Sequence, residues 1–264
     1  MVLMKAYDIV KTARDINRIS TRDVIQALCQ EEFIEQFGDR LSGNDGAIIG
    51  GVGLANNTPL TIIGIEKGRT VEENIQCNFG SASPSGYRKA SRLLKQANKF
   101  NRPVLTLINT PGAYAAPESE EAGIGEAIAR NLLIMSELTV PTLAIILGEG
   151  GSGGAIALAL ADEVWMMELS VYAILSPEGF ASILWKDAKR APEAAELMKL
   201  TSKDLSELAI VDRVIKEVDN NGHSIDKTTI LSQLTRQINE KVTQLVEQPV
   251  HERLKKRQER FRKF

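Results

Sequence analysis

Histidine is nearly missing from this chain: its 264 residues include two, His223 and His251. A catalytic apparatus or metal site built on several imidazoles is therefore excluded. Cysteine is equally scarce. Cys29 and Cys77 stand alone, with no Cys-x-x-Cys pair, which rules out a zinc ribbon or a disulfide framework and suits a reducing compartment. No run approaches the roughly 20 apolar residues of a membrane span. The opening stretch from Met1 to Asp15 meets charge too early for a signal peptide. A cytoplasmic protein with no membrane contact is expected. An excess of either charge sign is missing too, with 32 Lys and Arg against 34 Asp and Glu, so no strongly basic face is available for general nucleic-acid binding. With 43% hydrophobic and 25% charged residues the composition is that of an ordinary globular protein, long enough for one large domain or two small ones.

What the chain does have is glycine, gathered in one place. The apolar run Leu143 to Leu147 gives way to Gly148-Glu149-Gly150-Gly151-Ser152-Gly153-Gly154, and the small apolar stretch Ala155 to Ala161 follows at once. This is the pattern of a buried strand turning into a buried helix. So many glycines are expected to let the backbone take positive φ and come close to a bound group. The first N–H groups of the helix have no partner inside it and carry the positive end of its dipole, so the turn favours negative charge without an ionisable side chain.

The unit occurs twice. Arg102 to Ile108 reads as a strand ending in Asn109-Thr110-Pro111-Gly112-Ala113-Tyr114, with a helix from about Glu121 to Ser136. Val140 to Leu147 then leads into the glycine cluster and its helix. Strands alternating with helices predict mainly parallel pairing with right-handed crossovers. Ahead of them, Ala47 to Ala55 and Pro59 to Ile65 read as a hairpin around Asn56-Asn57. Tyr87 to Phe100 reads as an amphipathic helix whose Arg88, Lys89, Arg92, Lys95 and Lys99 form a solvated face. Residues 4–38 read as helices. One has Ile9, Ala13, Ile16 and Ile19 at helical spacing; a second starts at Ser20 and carries Val24, Ile25, Leu28, Phe33, Ile34 and Phe37. Later strands are read at Glu163 to Glu168, Val171 to Leu175 and Val211 to Val218, with helices at Ala181 to Lys186, Ala191 to Leu200 and Ser202 to Leu208. The C-terminal part reads as one long helix or two, with Ile230, Leu234, Ile238, Val242 and Leu245 on one stripe. The Lys- and Arg-rich stretch from His251 to Phe264 reads as a solvated helix end or as a docking surface for an acidic partner.

Three chemistries compete for the glycine cluster. Gly148-x-Gly150-x-x-Gly153 fits a dinucleotide fingerprint, with Glu168 where a ribose-binding acid would sit, but several strands precede it. Gly150-x-Ser152-x-Gly154 fits a nucleophile elbow, with Asp212 and His223 following in triad order; His223, however, lies in a polar turn that reads as an exposed tip. A P-loop fails, because no Gly-Lys-Ser/Thr closes the cluster. The third reading is an oxyanion hole of backbone amides. Gly112-Ala113 and Gly153-Gly154 would point N–H groups at one oxygen, each worth roughly 3–4 kcal/mol to a developing anion. A close-packed strand–helix junction explains the same glycines equally well.

The glycine cluster together with Thr110-Pro111-Gly112-Ala113-Tyr114, Glu126 to Asn131, Ser176-Pro177-Glu178-Gly179, Ala181 to Lys186, Asn78-Phe79-Gly80 and Gly86 to Ala90 resembles the carboxyltransferase alpha subunits of bacterial acetyl-coenzyme A carboxylase. The resemblance runs in order from about residue 31 to 215. It implies an α/β crotonase-like (ClpP/crotonase) fold, a spiral of ββα units, with a helical segment over 1–40, a core over 41–220 and a helical segment over 221–264. It implies transfer of a carboxyl group from carboxybiotin, carried on a biotin carboxyl carrier protein, to acetyl-CoA, giving malonyl-CoA for fatty-acid biosynthesis. Gly153 and Gly154, with Gly112 and Ala113, would hold the ureido oxygen of biotin, beside a biotin-facing loop of Gly150, Gly151 and Ser152. Lys67, Arg69 and Tyr114 are candidates for substrate or partner contacts. No metal is expected on this chain; the zinc ribbon and much of the acetyl-CoA site would belong to a beta subunit in an alpha2beta2 assembly that also serves a biotin carboxylase. The chain departs from the family pattern at Ile65, Gln76, Cys77 and Asn109. A non-catalytic assembly subunit and a serine hydrolase using Ser152 are the alternatives.

Overall fold

The computed structural model describes residues 4–263. Helices α1 (Ala6–Ala13) and α2 (Thr21–Cys29) come first. α1 ends at Ala13, so Ile16 falls in a turn and stands 50% exposed instead of continuing the helical stripe. Ser20 caps α2 as its sequence suggests: Ser20 Oγ accepts from the Asp23 N–H, and the Asp23 carboxylate accepts from the Ser20 N–H. Phe33 and Ile34 do not extend α2. Gln30, at φ 52°, turns the chain out of the helix, and Phe33–Glu35 forms strand β1 on the sheet edge. Three residues of apolar–apolar–polar sequence carry no periodicity able to separate the two states.

Strands β2 (Ile48–Ala55) and β3 (Thr58–Ile65) pair antiparallel through Asn56 and Asn57, at φ 48° and 62°. Two successive positive φ values make the tight turn whose twist matches the strands. Then follow α3 (Val71–Gln76), α4 (Pro84–Lys99), β4 (Val104–Thr110), α5 (Pro117–Glu121), α6 (Ile124–Glu137), β5 (Thr142–Gly151), α7 (Ser152–Ala159), β6 (Glu163–Met167), β7 (Val171–Ala173), α8 (Pro177–Trp185), α9 (Ala191–Leu197), α10 (Ser202–Glu207), β8 (Arg213–Ile215), α11 (Lys227–Glu247) and α12 (Val250–Phe261). β7 and β8 are shorter than their apolar runs suggested.

The strands form one sheet in the order β1-β2-β3-β4-β5-β6-β8, with β7 on the far stretch of β5. From β3 onward all pairings are parallel. Alternation along β4 and β5 sends Val104, Ile108, Ala144 and Ile146 to the face covered by α4, α6 and α7, and Leu105, Leu107, Leu143, Ile145 and Leu147 to the face covered by α2 and α11. Both faces of β5 are thus buried, as a central parallel strand requires.

Two basic stretches are solvated only in part, each burying some of its charge. Lys89 on α4 is fully buried; its Nζ donates to the Ile48 carbonyl at 2.7 Å and lies 3.8 Å from Glu35. At the C-terminus Pro249 breaks the helix into α11 and α12. Arg253 and Arg257 of α12 are buried on Asp162. They donate to the carbonyls of Leu245, Thr139, Met135, Leu138 and Val140, so α12 is tied to the end of α6.

Candidate active site

The glycine cluster is mostly strand. β5 runs on through Gly151, pairing Thr110 of β4 with Gly150 and running beside β7 from Glu149 to Gly151. Between residues 148 and 154 only Ser152 has a positive φ, at 55°. The expectation that these glycines serve left-handed backbone is therefore corrected: they serve close approach. A Cβ on Gly151 would lie 2.2 Å from the Pro111 carbonyl oxygen, and one on Gly154 would lie 2.7 Å from the Ala113 nitrogen. Any side chain there would drive apart the two elements that make the site. Gly112, at φ 147°, is the one position of this pair of segments where glycine's conformational range is needed.

The turn after β4 is built by Thr110. Its Oγ1 accepts from the Gly112 N–H at 3.0 Å and donates to the Gly112 carbonyl at 2.8 Å, while the Tyr114 N–H reaches the Ala82 carbonyl. The register between β4 and β5 shifts between Ile108 and Thr110. Asn109 repairs the gap: its Oδ1 accepts the Glu149 N–H at 3.1 Å. The Pro111–Ala113 turn then lies flat against the start of α7, which no side chain caps. Its first N–H groups, Gly153 and Gly154 among them, have no acceptor within the helix.

A cleft of about 730 Å³ opens in front of this junction. It is lined by Gly112, Ala113, Tyr114, Ser152, Gly153 and Gly154, with Ile124 and Ile128 of α6 and Ile174 and Leu175 as apolar walls. Gly150 and Gly151 lie behind it, on a separate small cavity of about 60 Å³. Lys67 does not line the cleft, but its Nζ donates to Glu149, which does. Arg69 is elsewhere: it pairs with Asp23 and donates to Ser20 at the start of α2.

Among the cleft residues that sequence reasoning missed, Arg14 and Glu149 form an ion-paired group. Arg14 Nε donates to Glu149 at 2.8 Å, and its Nη atoms bracket the Glu178 carboxylate at 2.9 and 3.0 Å. Burial pushes the Glu149 carboxyl up, but Lys67 and Arg14 outweigh it and hold the group below its ordinary value. Glu178 is held at about 2, first by its bond to Arg14. Both acids are thus neutralised, and neither repels an anion in the cleft. Glu149, the lone charge in an apolar and glycine-rich run, was the signal available in the sequence. Arg14, at the end of α1, offered none.

The competing motifs do not assemble. Asp212 pairs with Arg260, and His223 sits 80% exposed at a loop tip beside Asp219. Ser152 has no imidazole near it, and the hydrolase triad is overturned. Glu168 accepts from Lys216 and from the Glu217 and Val218 N–H groups, so it staples β6 to the chain after β8 and is not a ribose ligand. Among the described residues no three His, Cys, Asp or Glu side chains gather as a metal site, and no helix is long and apolar enough to cross a membrane.

Comparison with known proteins bears on this geometry. The transcarboxylase 12S core superposes with a TM-score of 0.72 at 19% identity, over 90% of this chain and 45% of that one. The beta subunit of Pseudomonas aeruginosa geranyl-CoA carboxylase superposes with a TM-score of 0.67 at 16% identity, over 94% of this chain and 46% of that one. At such identities the likeness establishes the fold alone, and that fold is the crotonase-like one expected. The acetyl-coenzyme A carboxylase carboxyl transferase subunit alpha of Streptococcus sanguinis is 52% identical over 262 residues, covering 99% of this chain and 100% of the relative. That of Streptococcus pneumoniae is 51% identical over 261 residues, with the same coverage. A family model described as acetyl co-enzyme A carboxylase carboxyltransferase-like matches residues 2–264. With its cleft built from the two segments that first suggested the resemblance, the chain belongs to the family of acetyl-coenzyme A carboxylase carboxyltransferase alpha subunits.

Proposed function

We propose that this chain is the biotin-facing half of a cytoplasmic carboxyltransferase. With a beta subunit it moves the carboxyl group of carboxybiotin, presented by a biotin carboxyl carrier protein charged by a biotin carboxylase, onto acetyl-CoA to form malonyl-CoA. The observation that carries the reading is the uncapped start of α7 packed against the Gly112–Ala113 turn at the floor of an apolar-walled cleft. The turn packs directly on Gly154, where a Cβ would lie 2.7 Å from the Ala113 nitrogen, so a urea carbonyl in the cleft would meet backbone with no side chain in the way. Bound there, carboxybiotin supplies an activated carboxyl group and a base for the methyl proton. The chain's own part is to hold and polarise. The N–H groups of Gly153, Gly154 and Ala113 would donate to the oxygen that becomes negative, each contributing roughly 3–4 kcal/mol. Ile124, Ile128, Ile174 and Leu175 would exclude water, which strengthens those bonds. Arg14 and Lys67 would keep the Glu149 carboxylate satisfied, so that it does not compete for the amides.

A beta subunit as partner is supported by exposed apolar surface beside the cleft. Ile174, on the cleft, is 78% exposed, and Ile183 and Leu184 of the following helix α8 are 62% and 60% exposed, apolar side chains that a partner would cover. In this reading the assembly is alpha2beta2, with the zinc ribbon and most of the acyl-CoA site on the partner.

The test is to mix the chain with its cognate beta subunit and follow malonyl-CoA-dependent carboxylation of biotin. Turnover is expected from the mixture and from neither chain alone. Gly154→Ala should lower kcat at least a hundredfold while the complex still forms, because its Cβ would displace the Ala113 peptide. Turnover by this chain alone, or a complex that forms and is silent, would overturn the reading; the second result would assign the chain to assembly.

A further inference from the structure

Behind the anion site lies a hydroxyl with no use in the resting fold. Tyr87 of α4 has no exposed surface, and its Oη has no hydrogen-bond partner. An unpaired hydroxyl in a closed core is a standing cost. Phenylalanine would fill the same space among Ala90, Leu94, Ile108 and Ala155 of this core without it. The hydroxyl does lie beside something. A Cβ on Gly154 would sit 2.7 Å from Tyr87 Oη and, at the same time, 2.7 Å from the Ala113 nitrogen. The phenol from α4 and the peptide from the 111–113 turn thus converge on the bare Cα of Gly154, whose opposite neighbour is the cleft it lines.

We propose that Tyr87 is a positioning residue of the anion site, whose O–H dipole swings toward the oxygen held by the Gly153–Gly154 amides as negative charge builds on it. The proposal rests on the reading of those amides given above. A phenol O–H rotates about a single soft torsion. No hydrogen-bond acceptor fixes its hydrogen, so it turns as charge builds, against the pull of the Asp45 carboxylate that also acts on the phenol. The surroundings are apolar, so the dipole is felt more strongly than it would be in water. Nothing is transferred: burial, with the Asp45 carboxylate adding to it, raises the phenol well above its ordinary value of 10.0, so it remains protonated throughout.

The experiment is Tyr87→Phe in the complex with the beta subunit. The variant removes an unpartnered oxygen and leaves the ring, so the fold is retained. We expect kcat to fall about tenfold, KM for malonyl-CoA to stay within twofold, and Tm to hold or rise. A kcat within twofold of the parent overturns the proposal. So does a loss of kcat accompanied by a lower Tm, which would assign the hydroxyl to packing. Gly154→Ala in the same assay separates the two layers of argument. If it turns over normally, the anion site itself is misassigned. If it is inactive while Tyr87→Phe is unaffected, only the role of the hydroxyl fails.

Discussion

Asn109 shows how one residue sets the site. The shifted register at the end of β4 leaves the Glu149 N–H without a strand partner, and the Asn109 amide oxygen takes it up. Glu149 is 8% exposed, so water is a poor substitute. Asn109→Leu should therefore destabilise the protein by roughly 1–3 kcal/mol, the cost of leaving a buried donor unpaired, as read from urea unfolding; a neutral effect would mean that the strand closes the gap itself. The departure at this position was legible in the sequence, but its role was not. Nothing in the neighbouring residues reveals a register shift between strands that lie some forty positions apart. The same holds for the glycines. Their clustering pointed to the cleft, yet whether each serves torsional freedom or close approach is decided by Pro111, Ala113 and Tyr87, which only the fold brings to them.

At the scale of elements, what periodicity or turn chemistry encodes was readable: the hairpin at Asn56-Asn57, the cap at Ser20, the two strand–turn–helix units and the apolar stripe of α11. Charge misled. Lys89, Arg253 and Arg257 have the same letters as solvated residues, and their burial depends on Glu35, Ile48 and Asp162 arriving from far along the chain. α12 is the strongest case. It buries no stripe of apolar side chains; two guanidinium groups hold it to Asp162 and to the last carbonyls of α6. Arg257→Met leaves Asp162 3% exposed and short of its closest partner. It should cost roughly 3–5 kcal/mol in equilibrium unfolding, with α6, which carries Ile124 and Ile128 into the cleft, loosening first. A loss below 1 kcal/mol would show that α12 is held by some other means.

Over the whole molecule, the cleft floor and the core share one strand. β5 pairs with β4 and β6 along its first half and with β4 and β7 along its second, buried on both faces. Amide exchange should therefore find Gly148 to Gly151 among the most protected positions in the isolated chain, near the limit set by global unfolding. Rapid exchange there, slowed only by adding the beta subunit, would mean that the partner finishes the floor. A ligand reaching this surface meets a wall that does not remodel itself to suit. An inhibitor designed against it would have to bring the matching contour ready-made, and would lose little binding energy to reshaping its target.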